Sequence, residues 1–479
     1  MVGDFSKCGR QSVITNYPGT SGPGTSSEPG IDVCPTHAAG SRGAKLKILI
    51  QSINYAPELT GIGKYTGEMA VWLAARGHEV DVVAGLPHYP EWAVFPAYRG
   101  RGFRRETLHG TRVMRTPHRV PAPRRVSALG RILMETSFSI AGLYWWAGIL
   151  CRRRRYDLVI AVCPPLQGAI MPWLYGLVRR VPWVLHIQDF QVDAAVRLGM
   201  LRLGPLQRLL YAGENFLVRM AARVSTIAPA MCRRAIEKGA DPERTWLVPN
   251  WTDTDAMVPG KRDNGLRDEL GFDAGHLLVL YAGAMGAKQG LDVVLQAAAL
   301  VREQPRLQFI LVGSGGDRPR LEALARELAL TNLRFLPVQP AERMNDLLAI
   351  GDIHLVVQRA QAADLVMPSK LANIMAAGRP TVATAAADTD LFDLLRDHGC
   401  GVAVAPEDAT ALAEALSRLA DDPARREHMG RNARAHAEQY LNRDAILTAF
   451  EQQLQGLVDE RKKVGNRKVK NKKVRKVNP

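Results

Sequence analysis

The stretch "LKILIQSINYAPELTGIGKYTGEMAVWLAARGHEVDVV" (46–83) constrains the fold more than any other part of this chain. An apolar run, "LKILI", precedes a turn with glycines at 61, 63 and 67. A helical pattern follows, then a second apolar run, "VDVV". Met69, Trp72 and Leu73 recur at helical spacing, and Gly77 suits a left-handed helix stop. Strand, glycine turn, helix and strand make the half-unit of a parallel sheet. In such a unit the glycines let backbone N–H groups approach a phosphate or sugar at a helix start. A dinucleotide fingerprint needs G-x-G-x-x-G and an acidic residue at the tip of the second strand. Here the glycine spacing is one residue longer, and the strand ends "VVAGLPHY" with Asp81 too early, so a nicotinamide dinucleotide does not fit.

The rhythm continues with "TRVMRT", "YDLVIAV", "PWVLHIQ" and "RVSTIA", pauses in the loop-like "VPNWTDTDAMVPGKRDNG" (248–265), and restarts at "LLVLYAGAMG". The later runs are "LQFILVGSGGD", "LRFLPVQ", "DIHLVVQ" and "RPTVATA". Short apolar runs alternating with helical patterns predict an α/β chain of two doubly wound domains. The expected boundaries are a disordered Gly/Ser/Pro-rich extension (1–44), a first domain (45–245), a second domain (246–434), a C-terminal helix (435–460) and a polybasic disordered tail (461–479).

Charge is unevenly spread over these parts. Net values are +1 for 1–45, +15 for 46–240, −10 for 241–460 and +10 for 461–479. A basic first half and tail fit an anionic membrane as well as nucleic acid, but no helix-turn-helix, zinc-finger or aromatic RNA-binding pattern favours the latter. The six cysteines are scattered without C-x-x-C or metal-ligand spacing, which predicts free thiols in a cytoplasmic protein.

Several segments together carry a family resemblance. They are "INYAPELTGIGKYTGEMAVWLAARGHEV", "LHIQDFQVDAAVRLGM", "STIAPAMCRRAIEKG", "VPNW", "LYAGAMGAKQGLDVVLQAA" and "LVVQRAQAADLVMPSKLANIMAAGRPTVATA". In this order and spacing the chain resembles the family-4 retaining glycosyltransferases of GT-B fold, and within them the fucosyltransferase-like enzymes of colanic-acid and exopolysaccharide synthesis. The likeness spans roughly 46–456. It implies two Rossmann-like domains facing across a cleft, with the nucleotide-diphosphate sugar on the second, the acceptor on the first, and residues 435–456 packing back on the first.

The resemblance also assigns residues. Lys288 would contact the donor diphosphate and stabilise the charge left on it as the sugar departs, in a loop where Ala284 replaces the arginine many relatives carry. Gly61 and Gly63 would lie against phosphate or sugar. The helix beginning near Ser369 would present its N–H groups to the diphosphate, with Ser369 and Lys370 assisting. Two glutamates of the wider family are matched by Leu365 and Asn373, and Asn373 would bind the ribose without charge. His186 and Asp189 would lie near the donor sugar as catalytic residues, with Asp189 orienting His186 or binding the acceptor. Each has a plainer reading: Ser369 as a helix cap, Lys288 as a solvated lysine, His186 as a packed core histidine.

Two Asp-Thr-Asp triplets, 253–255 and 388–390, resemble metal-binding carboxylate pairs, but both read as turns, and no metal or other cofactor is expected. The run "ILMETSFSIAGLYWWAGILC" (132–151), followed by "RRRR" (152–155), reads as a buried crossover helix, as an interfacial anchor through Trp145 and Trp146, or as a span. The expected enzyme is a peripheral protein of the inner membrane face. Its donor would be a nucleotide sugar and its acceptor a lipid-linked oligosaccharide, with the hexose, fucose among the options, left open. A GT-B-like sugar-nucleotide epimerase and a non-catalytic scaffold are the rival readings.

Overall fold

Buried on both faces, the central strands of a parallel sheet need continuous apolar runs, and these runs fall where the sequence places them. The first sheet holds β1 (Lys47–Ser52), β2 (Glu79–Gly85), β3 (Arg104–Leu108), β4 (Thr111–Thr116), β5 (Leu158–Cys163), β6 (Trp183–Ile187), β7 (Arg223–Thr226) and β8 (Thr245–Leu247). Its order is β3-β4-β2-β1-β5-β6-β7-β8, parallel except for the antiparallel β3–β4 pair. The second sheet holds β9 (Leu277–Ala282), β10 (Leu307–Val312), β11 (Leu333–Leu336), β12 (Ile353–Val356), β13 (Thr381–Thr384) and β14 (Gly401–Val404), in the order β11-β10-β9-β12-β13-β14. This computed structural model describes residues 44–121, 128–153, 155–197, 204–360 and 367–477. The expected extension, Leu365 and the arginines at 124, 125 and 154 lie outside them.

Strand order reverses between β1 and β5 in one sheet and between β9 and β12 in the other. Ligands of open α/β sheets bind beyond the carboxyl ends of strands at such reversals. The two strand orders thus single out the loops after β1, β5, β9 and β12.

Alternation along the strands decides what covers each face of the first sheet. Leu49, Val159, Ala161, Leu185 and Ile187 face a layer that includes Trp145, Trp146, Tyr175 and Leu217. Ile48, Ile50, Ile160 and Val184 face the first helix (Gly61–Ala75) and the last (Arg443–Val477), which contributes Leu447, Phe450 and Leu454. The expected return of the C-terminus to the first domain is therefore present, with a shifted boundary. The helix Pro423–Tyr440 stays with the second domain, and the chain crosses at Leu441–Asn442. There it runs beside the interdomain linker, where Thr252 N–H donates to Leu441 O at 2.9 Å and Arg443 N–H to Thr252 O at 2.9 Å. The docked helix is held by His78, whose Nδ1 accepts from Leu46 N–H at 3.0 Å, so that Nε2 carries the proton given to Glu451 at 2.7 Å.

One expectation needs correction here, and one open choice is decided. Residues 461–477 are not coil, because the last helix runs through Val477; lysine and arginine are good helix formers, and no proline interrupts them before 479. Of the three readings of 132–151, the crossover helix is the one present, as Ala128–Cys151: Trp145 and Trp146 are buried, with indole N–H groups bonded to Arg115 O at 3.1 Å and Gln51 Oε1 at 2.5 Å. Among the described residues no helix is long and apolar enough to cross a membrane.

Candidate active site

The loop after β9 owes its shape to glycine. A Cβ on Gly313 would sit 1.9 Å from Gly283 O, and one on Gly315 would sit 2.2 Å from Met285 O, so only glycine lets the loops after β9 and β10 close on each other. This packing presents the short turn Ala287–Gln289 with Lys288 exposed. Arg359, just beyond β12, pins the turn: its N–H donates to Lys288 O at 3.1 Å and its Nε to Ala287 O at 2.8 Å.

Met367 leads into the seven-residue helix Lys370–Ala376. Lys370 turns its ammonium over the ring of Tyr281, 3.7 Å from the centroid. The nitrogen is buried and has no hydrogen-bond partner among the described residues. Burial and then the like charge of Lys288 push its pKa down to about 7. Two cations thus face one space at the strand-order reversal of the second sheet. An unpaired buried ammonium is unfavourable by itself, so the site is built for an anion.

From the first domain, the loop after β6 adds Asp189. Its Oδ1 is buried without a partner, and burial raises the carboxyl's pKa, against the pull of Lys288 and Arg131. Lys288, Lys370 and Asp189 are therefore brought together across the cleft. Beside Asp189, on the helix Ala128–Cys151, stands Glu135, a residue sequence reasoning passed over. Gln191 donates to it at 2.7 Å, and burial pushes its carboxyl up to about 7. A charged residue at a core position of an apolar helix was the signal available.

The other assigned residues are placed differently. His186 is not at the cleft. It shares the parity of Val184, so its ring lies under the last helix, 6.3 Å from Phe450. Its Nδ1 pairs with Ser225 Oγ at 2.9 Å and its Nε2 with Gln188 at 2.8 Å, and burial pushes its pKa down to about 4. It is a neutral packed histidine, and the catalytic reading is set aside. Gly61 and Gly63 meet the protein's own side chains: a Cβ would lie 3.2 Å from the Tyr89 ring and 2.5 Å from Glu58 Oε2, respectively. Glu58 in turn accepts from the N–H groups of His88 and Tyr89 at 2.8 and 3.0 Å. The glycine turn thus makes room for the carboxylate that ties it to the loop after β2.

Ser369 does not cap its helix, and instead shares a hydrogen bond with Tyr65 across the cleft. Asn373 Oδ1 accepts from Thr252 in the linker at 2.8 Å, so this oxygen is committed to the hinge. One carboxylate of each Asp-Thr-Asp triplet is occupied as well. Asp253 pairs with Arg443 at 2.6 Å, and Asp390 closes the domains on each other through Arg233 at 2.8 Å and Ala230 N–H at 2.6 Å.

The comparisons with known proteins give the family and the fold. Residues 60–251 match the family described as "Glycosyl transferase 4-like domain", and 263–436 match "Glycosyl transferases group 1". A protein of Escherichia coli K12 named as a colanic acid biosynthesis glycosyl transferase, WcaI, is 39% identical over 86% of this chain and 100% of its own length. The chain belongs to this glycosyltransferase family. A D-inositol 3-phosphate glycosyltransferase of Thermomonospora curvata is 31% identical over 79% of this glycosyltransferase and 86% of itself. Among solved structures, sucrose-phosphate synthase of Thermosynechococcus elongatus superposes with a TM-score of 0.68 at 21% identity, covering 87% of this chain and 100% of that one. HepE of Anabaena, in complex with UDP-glucose, gives 0.63 at 18% identity, covering 87% of this chain and 100% of that one. These two likenesses establish the GT-B fold.

The two lysines imply a pH dependence. In the free glycosyltransferase Lys370 loses its proton near pH 7, while a bound diphosphate favours the ammonium. Affinity for a nucleoside diphosphate is therefore expected to be full below about pH 7 and to fall as pH rises through it. Calorimetry at pH 8 in buffers of different ionisation enthalpy should show proton uptake on binding, absent in Lys370→Met.

Proposed function

We propose that this glycosyltransferase moves a hexose from a nucleotide-diphosphate sugar to a lipid-linked oligosaccharide, in surface-polysaccharide synthesis at the cytoplasmic face of the membrane. The observation that carries the reading is the pair of neighbouring cations beyond β9 and β12, the exposed Lys288 and the buried Lys370, whose ammonium has no hydrogen-bond partner among the described residues. As the bond from the anomeric carbon to the phosphate oxygen breaks, the departing diphosphate gains charge. A preorganised ammonium stabilises that charge more than it stabilises the ground state. The name of the Escherichia coli relative supports a role in exopolysaccharide, and the UDP-glucose complex of HepE supports a nucleotide-sugar donor.

On the acceptor side, Asp189 and Glu135 offer oxygens to sugar hydroxyls, as buried carboxylates do when a polar ligand replaces their water. We propose retention, in which the acceptor oxygen attacks from the face the phosphate leaves and its proton passes to the departing phosphate oxygen. No divalent cation is proposed, because the two lysines stand where the diphosphate charge would be met. The test is a transfer assay with UDP-, GDP- and dTDP-sugars and a membrane lipid extract, with and without chelator. Label should move from one nucleotide sugar into the lipid fraction in both conditions, with the anomeric configuration kept. Conversion of the donor alone, without acceptor, would replace this reading with the epimerase.

A further inference from the structure

Between residues 101 and 220 the chain carries nineteen arginines, no lysine and six carboxylates. The fold removes all six carboxylates from free display. Glu106 pairs with Arg115 at 2.7 Å, and Asp157 accepts from Lys47 N–H at 2.9 Å. Glu135 and Asp189 line the cleft, while Asp193 and Glu214 are buried against Lys238. Meanwhile Arg101, Arg105, Arg152, Arg153 and Arg155 are exposed and form no ion pair among the described residues. Glu79 and Asp81 share a pocket with Arg152, Arg153 and Arg155 but are already paired with Lys47 and Arg112, so this part of the surface keeps an excess of positive charge.

The same segment leaves a helix face uncovered. On Ala128–Cys151, the residues Met134, Phe138, Trp145 and Ile149 point inward. The opposite stripe, Leu133, Ile140, Leu143 and Tyr144, is exposed, with Ile140 at 63% and Tyr144 at 60%. Phe103 extends the stripe, its ring 4.4 Å from that of Tyr144, and Arg105 stacks over Trp145 at 5.0 Å. The neighbouring helices of the same layer, Ile170–Arg179 and Pro205–Met220, touch through Trp173 and Phe216 at 5.1 Å and expose Leu177, Val178 and Met220. Apolar side chains on three adjacent helices, edged by unpaired arginines, are the composition of a surface that lies in a lipid interface.

We propose that this helix layer of the first domain docks on an anionic bilayer, with Leu133, Ile140, Leu143, Tyr144 and Phe103 entering the headgroup region and the arginines meeting lipid phosphates. The helix that docks also carries Arg131 and Glu135 toward the cleft, so docking holds the acceptor side of the cleft at the lipid surface. The proposal rests on the lipid-linked-acceptor reading only for its purpose, since docking is read without any sugar transfer.

The test is flotation of the full chain with vesicles of phosphatidylcholine alone and with one third phosphatidylglycerol, at low salt. Wild type should float with the anionic vesicles and not with the neutral ones. The pairs Ile140→Glu with Tyr144→Glu, and Arg152→Glu with Arg153→Glu, should each lower partitioning at least about tenfold. Ile140→Ser with Tyr144→Ser should give an intermediate loss at an unchanged melting temperature. Arg302→Glu with Arg326→Glu, exposed on the second domain, should float as wild type does. Wild type failing to float overturns the proposal. So does full flotation of the face variants, which retain the polybasic tail and would assign binding to it. A self-association that the face variants abolish, with no flotation of wild type, would assign the face to a second copy instead.

Discussion

Lys288→Ala is expected to lower the rate of transfer by about 10²–10³, equivalent to about 2.7–4 kcal/mol of transition-state stabilisation, while the protein stays folded. The side chain is exposed at the mouth of the cleft and forms no ion pair among the described residues, so its removal leaves no partner stranded. Its role is electrostatic and grows as charge moves onto the leaving phosphate, so kcat should fall more than the donor KM rises. Lys370 cannot fully substitute, since its ammonium is buried and sits over the Tyr281 ring. Removing Lys288 also removes a like charge from Lys370, whose deprotonation should move to higher pH. Lys288→Arg should recover part of the rate. Steady-state kinetics across pH measures all of this, and an alanine variant within threefold of wild type would remove Lys288 from the chemistry.

Phe450→Ala should destabilise the first domain by about 3–5 kcal/mol. Phe450 is fully buried on the last helix, between the rings of His186 and Trp246, each 6.3 Å away, and packs with Leu447 and Leu454 into the first domain's core. Truncation leaves a cavity between a helix and a sheet that meet only after the whole chain has been made. The hydrogen bond of Glu451 with His78 and its ion pair with Arg76 would remain but are too few to offset the loss. Chemical denaturation followed by hydrogen exchange on Arg443–Val477 and β6 reads the effect. A cost below 1 kcal/mol would mean that the helix is a loosely held appendage.

What the sequence made legible follows from locality. Apolar runs, the glycine turn and the helix stop at Gly77 are set by neighbours in the chain, and they are where expected. The strand β3, "RRETL", escaped because it is a polar edge strand with little burial. Lys288 was readable from its motif. The orientation of Lys370 over Tyr281 depends on how two loops meet, which no local pattern encodes. His186 was misplaced for the same reason. Its strand is apolar on both faces, and the face it takes is covered by a helix from the far end of the chain. The three readings of 132–151 could be narrowed from the sequence, because the helical period already separates 133, 140 and 144 from 134, 138, 145 and 149. Asn373 was assigned to the ribose by resemblance, whereas the fold gives its oxygen to the hinge; the Asp-Thr-Asp triplets read as turns, and Asp253 and Asp390 serve the hinge and the domain contact.

A crystal structure of the glycosyltransferase with a nucleoside diphosphate tests the central idea most directly. The account predicts both phosphates between the two domains, with oxygens within hydrogen-bond reach of the Lys288 and Lys370 ammonium groups. A nucleotide seated away from both lysines, or phosphates whose charge is met by other cations, would contradict it.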